Sequence, residues 1–121
     1  MDSALPSLAF AQAAYFIVTG VWPILNIRSF MAVTGPKHDL WLVKAVGALV
    51  TAVGANIAFA AWQRQINTTV ALLAVTSAAA LAAVDIIYVV KRVIARVYLL
   101  DAVVEIVLII GGFIFWPRRS G

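Results

Sequence analysis

The chain has 121 residues, 64% of them hydrophobic and 12% charged, with a net charge of +4 and no cysteine. With a mean hydropathy of +1.04, this composition excludes a water-soluble domain, because a domain this small leaves too much surface exposed to hide so much apolar side chain. The missing cysteines exclude disulfides, thiolate metal sites, iron–sulfur clusters and cysteine nucleophiles. A positive balance would suggest nucleic acid in a soluble chain. Here it reads as loop charge that records topology and contact with anionic lipid, so the expected partner is the lipid bilayer and not nucleic acid.

A hydrocarbon core of about 30 Å needs about 20 helical residues, and four apolar segments meet that length. They run over 8–25, 40–62, 68–90 and 97–116. The runs are continuous and rich in Ala and Leu, without the period-two alternation of barrel strands, so helices are expected. The first span does not read as a cleavable signal peptide: MDSALP has no basic residue, and Trp22-Pro23 is no small-residue cleavage site. Pro23 and Gly20 predict a kink or an end to the first helix. TGPKHD, residues 34–39, predicts a turn with Asp39 at the N-cap of the second span. The Gly111-Gly112 pair fits either a packing notch or local flexibility.

Short connections between successive spans predict an all-α, up-down-up-down four-helix membrane bundle, one transmembrane domain over 1–121. Loops one and three then share a side and carry Arg28, Lys37, Lys91, Arg92 and Arg96. The opposite side carries Arg64, Arg118 and Arg119. The excess places loops one and three in the cytoplasm and the termini in the periplasm of a bacterial inner membrane.

The segment VDIIYVVKRVIARVYLLDAVVE, residues 84–105, holds three of the five acidic residues, Asp85, Asp101 and Glu105, beside Lys91, Arg92 and Arg96. Antiparallel geometry puts Asp85 and Asp101 at similar depths, roughly 8 Å inside their helices, with Glu105 one turn deeper. Tyr98, Asp101 and Glu105 share one face, as do Asp85, Tyr88 and Arg92. Lys44 enters from the same side on the second span. The first span brings Gln12, Tyr15, Thr19, Trp22 and Asn26 at spacings of 3, 4, 3 and 4. A charge facing lipid costs about 3 kcal/mol even on lenient scales, so all these groups are expected to turn inward into one polar layer. Lys44, Gly47, Thr51 and Gly54 form one stripe of the second span, with small residues that permit close approach.

Two readings of the layer follow. In one, Lys44 and Arg92 or Arg96 neutralise the acids and fix helix register. In the other, the layer lines a ligand pocket or ion path. The expected ligand-binding residues are Tyr15, Trp22, Asn26, Lys44, Asp85, Tyr88, Arg92, Tyr98, Asp101 and Glu105. Lys44 and Arg92 would meet an anionic or carbonyl group, and Glu105, the deepest, is the best-placed proton carrier. The expected occupant is a small amphipathic molecule such as a quinone, isoprenoid or lipid. The same residues also fit proton-coupled transport or ion conduction by a homodimer, or a structural assembly role. His38, the single histidine, has no second imidazole, and no metal site is expected. No Walker loop, catalytic serine motif or HExxH is present, so the balance is against an enzyme.

The segment YFIVTGVWPILNIRSFMAVTGP, with WLVKAVGALVTAVGANIA after it, resembles the DoxX-like group of small bacterial four-span membrane proteins. The resemblance covers the first half of the chain. It implies a place in respiratory or thiol redox complexes, with a quinone or a membrane-complex partner, and it assigns no residue a role. The chain also has the size of small multidrug transporters and fluoride channels. It departs from both, having no acidic residue in the first span and no matching Gly-Arg channel motif.

Overall fold

The computed structural model describes residues 4–117, which form five helices. These are α1 (Ala4–Leu25), α2 (Ile27–Thr34), α3 (Leu40–Trp62), α4 (Thr68–Val90) and α5 (Tyr98–Ile114). The described residues are therefore all-α, as the composition predicts. Three of the helices, over Leu5–Leu25, Leu40–Trp62 and Thr68–Val90, are long and apolar enough to cross a bilayer, which points to an integral membrane protein. The bounds of α3 and α4 match the second and third expected spans. The fourth is shorter than expected: α5 has 17 residues, about 25 Å of helix.

Loop one holds a helix that the spacing of apolar residues did not predict. Asn26, expected to continue the first helix, instead caps α2: its side chain accepts from the backbone N–H of Ser29 at 3.1 Å. Such a cap satisfies a donor that the first turn leaves orphaned. Pro23 sits inside α1, which runs two residues beyond it before ending at Leu25. Asp39 takes the N-cap position of α3 as expected, though its side chain makes no capping bond. Gly35, at φ 97°, ends α2 in a left-handed conformation open to glycine without strain.

The helices pack as two antiparallel pairs. In the first, the small-residue faces of α1 and α3 close on each other: a Cβ added at Gly20 would lie 2.6 Å from the carbonyl oxygen of Gly47. A Cβ at Gly54 would lie 2.9 Å from that of Phe16. Ala9 and Ala13 of α1 meet Ile57 and Ala61 of α3 in a buried cluster further along. In a bilayer the apolar effect does not drive helices together, so backbone approach over small residues and interhelical hydrogen bonds must do so. The second pair is α4 with α5, where Gly112 faces Val75. Gly111 receives Leu8 of α1, so the glycine pair is a packing notch. By contrast α3 and α4 touch only sparsely, and this leaves an opening between the pairs. Large side chains such as Val18, Leu49 and Val107 remain exposed, as lipid-facing residues do.

Gln12 supplies one of the polar bonds between the pairs. Gln12 is buried, and its side-chain amide donates to the carbonyl oxygen of Ala74 at 2.9 Å. Interhelical bonds of this kind contribute about 1 kcal/mol in membranes. Gln12→Met keeps the volume and loses the donor. It is expected to lower stability by about 1 kcal/mol in reversible unfolding from mixed micelles, and no loss would mean that α1 and α4 are held by packing alone.

Candidate functional site

The seam of α1 directs its polar groups as the 3-4 spacing predicts, up to Trp22. Gln12 faces α4. Tyr15, three residues on, reaches α5 and donates its hydroxyl proton to Oδ1 of Asp101. Thr19 turns its hydroxyl back onto the carbonyl oxygen of Tyr15 at 2.7 Å, which satisfies it within the helix. Trp22 donates from Nε1 to Oγ of Ser29 at 2.8 Å, and its ring meets Phe30 edge-on at 5.3 Å. Asn26 stands outside the seam, exposed, at the cap of α2.

The three acids converge from two helices. Asp85 of α4 is 5% exposed and Glu105 of α5 is 1% exposed. The carboxyl of Asp101, which accepts from Tyr15, also lies within hydrogen-bonding reach of that of Asp85. A bond between two carboxyls requires one proton, since an ionised carboxylate only accepts. Oδ2 of Asp85 and both oxygens of Glu105 are buried with no hydrogen-bond partner.

Among the described residues, no lysine, arginine or histidine forms an ion pair with Asp85, Asp101 or Glu105. The expected neutralising network of Lys44 with Arg92 or Arg96 is thus absent. Lys44 is exposed; although Gly47 and Gly54 on its stripe are buried against α1, its long stem carries the ammonium out to the surface. Arg92 follows the end of α4 at Val90 and takes φ 60°, so the helical face expected to carry it has already ended. Arg96 lies in the same exposed turn. Tyr88 is 41% exposed, and Lys91 sits over its ring, 5.8 Å from the centroid. Of the expected face on α4, Asp85 alone enters the interior.

Above the acids lies a cavity of about 830 Å³ between the two helix pairs. Tyr15, Asp101 and Glu105 form its polar floor, and Trp22 and Tyr98 are in its wall. The remaining wall is mainly apolar, with Val46 and Val50 of α3, Leu81 of α4, and Val104 of α5. Of the residues expected to bind a ligand, Tyr15, Trp22, Tyr98, Asp101 and Glu105 line this space. Asp85 stands behind the floor against Asp101. Asn26, Lys44, Tyr88 and Arg92 do not reach it.

Lys37 is the residue that sequence reasoning missed at this site, having counted it only as a loop charge. It lies at the cavity rim, 5.2 Å from the centroid of Tyr98 and 6.0 Å from that of Phe30. Its ammonium donates to the carbonyl oxygens of Thr34 and Gly35, both at 3.0 Å. Nothing in GPKH signals that position, because the left-handed turn at Gly35 is what carries the lysine back over the end of α2. No family model, curated protein or solved structure matches the chain.

Proposed function

We propose that the chain is an integral membrane protein with four spans in up-down-up-down order that holds a small amphipathic molecule in the cavity between its helix pairs. The observation that carries this is Glu105, a fully buried carboxyl in the cavity floor with neither oxygen bonded. An unpartnered polar group inside a protein costs about 1–3 kcal/mol, and a charged one within a membrane is a functional site by default. A purely structural role is disfavoured, because structure would call for a base beside the acids.

The antiparallel order of the helices supports four spans, with α5 extended by the flanking residues of 97–116. It also puts loops one and three together, since Gly35 faces Ala95. Their five basic residues favour the cytoplasmic side of a bacterial inner membrane. On the other side Arg64 is exposed, while Arg118 and Arg119 lie outside the described residues. Kinship with the DoxX-like group, and a role as accessory subunit in a membrane complex, agree with this arrangement. A second reading draws on the run Tyr15–Asp101–Asp85: linked hydroxyl and carboxyl groups pass protons, which suits a proton-coupled transporter working as a dimer.

Native mass spectra of the protein, extracted in mild detergent beside Glu105→Gln, test the binding reading. A retained small-molecule mass on the wild type, at least tenfold depleted in the variant, is the expected result. Bare monomers in both, with equal stability, would overturn it, and a bare dimer would favour transport.

A further inference from the structure

The hydrogen-bond inventory around the cavity is one-sided. The donors that approach it are already engaged: Tyr15 with Asp101, Thr19 with the carbonyl of Tyr15, Trp22 with Ser29. Thr34 donates to the carbonyl of Phe30 at 2.8 Å. Lys37 is held by the backbone carbonyls that end α2. The exceptions are His38, exposed at the rim, and the hydroxyl of Tyr98, whose ring lies under Lys37 there. The unused groups are acceptors, namely both oxygens of Glu105, buried in the floor, and Oδ2 of Asp85 behind it.

A site with surplus buried acceptors discriminates by what a ligand brings to them. A carbonyl headgroup such as a quinone's adds more acceptors at the floor, where the Tyr15 hydroxyl is already engaged, and the free side-chain donors, His38 and Tyr98, stand at the rim. An anionic headgroup would add like charge to whatever charge the acids carry, and Lys37, engaged at the rim, does not offset it. A cation reverses both deficits: it supplies donors and counters any charge on the floor. Charge-assisted bonds between an ammonium and a carboxylate are about twice as strong as neutral ones. The ring of Tyr15 at the floor adds an aromatic group, which favours a cation over a neutral head. The apolar wall above requires the rest of the molecule to be hydrocarbon or aromatic.

We infer that the cavity selects a lipophilic monocation, an amine or ammonium head on an apolar body, which Glu105 and Asp101 meet at the floor. This rests on the proposal that the cavity holds a ligand at all, and it narrows the class from any amphipathic molecule to a cationic one.

The test uses full-length protein in nanodiscs of neutral phosphatidylcholine, so that lipid charge does not concentrate the probe. Three probes share one nine-carbon chain: nonylammonium, nonanol and nonanoate. Binding is measured by calorimetry, with protein-free discs subtracted for partitioning. Nonylammonium is expected to bind at least tenfold more tightly than nonanol, with nonanoate the weakest. Glu105→Gln, or Asp101→Asn where the first variant is poorly recovered, is expected to erase that tenfold advantage and leave nonanol binding unchanged. Val104→Trp, which fills the cavity, is expected to abolish binding of all three. Equal binding of nonylammonium and nonanol would overturn the cation inference while the ligand cavity stands. So would a preference for nonanoate, or a tenfold preference that survives both acid substitutions. If no probe binds the wild type above protein-free discs, both the cation inference and the cavity proposal fall.

Discussion

Gly47→Ala is expected to lower the stability of the folded chain by about 3 kcal/mol, the upper part of the usual range for overpacking. The added methyl has nowhere to go. It would collide with the carbonyl oxygen of Gly20 and lie 3.2 Å from Cγ of Pro23, and both belong to a rigid stretch of α1. Backbone cannot step aside as a side-chain end can, so the whole α1–α3 contact must open. The helix propensity gained by alanine over glycine, about 1 kcal/mol, offsets only part of the loss. Gly111→Ala is the control, since its methyl meets only the flexible end of Leu8, at 3.0 and 3.1 Å; its effect is expected to stay within about 1 kcal/mol. Reversible unfolding of the two variants decides the matter. Equal losses at Gly47 and Gly111 would mean that the α1–α3 pair is not the tight element of the fold.

Glu105→Leu is expected to act in the opposite direction, raising stability while removing function. The carboxyl is fully buried and its two oxygens are unbonded, so the folded state carries a desolvation cost of about 1–3 kcal/mol that leucine of similar size does not. A gain of about 2 kcal/mol in unfolding free energy, together with loss of the preference for a cationic probe, is the expected pair of results. Such opposition is characteristic of groups kept for binding at the expense of stability. A loss of about 1 kcal/mol or more would show instead that Glu105 holds the bundle through an interaction, and the site proposal would lose its principal support. The two measurements are independent, because Gly47 acts through the α1–α3 seam and Glu105 through the opening between the pairs.

The two substitutions also separate what makes the bundle from what the bundle encloses. The α1–α3 seam is built of glycine and alanine, which gives two backbones close contact and leaves no room for a ligand. The α4–α5 pair brings the acids together, and the sparse contact of α3 with α4 keeps the space above them open. A cavity of about 830 Å³ falls within the usual range for small-molecule sites, about 300–1,000 Å³.

By itself the sequence determined the solvent, the helical class, the positions of the long helices and the convergence of three acids. Each follows from properties that are local or nearly so. Apolar runs of bilayer length are visible as composition, and a 3-4 spacing puts Gln12, Tyr15, Thr19 and Trp22 on one face wherever that helix packs. Asp101 and Glu105, one turn apart, must likewise share a face. The tertiary structure alone decided which charges meet. The flexible stem of Lys44 lets it leave a face whose glycines are buried. The end of α4 at Val90 releases Arg92 from the face of Asp85, and the turn at Gly35 carries Lys37 onto the cavity rim. Helix α2 escaped notice because an eight-residue helix is too short to show a period, and its cap at Asn26 also fits the seam of α1. Periodicity fixes direction within a helix but says nothing about where the helix stops or how far a long side chain bends away. Those two quantities left the acids without a base among the described residues.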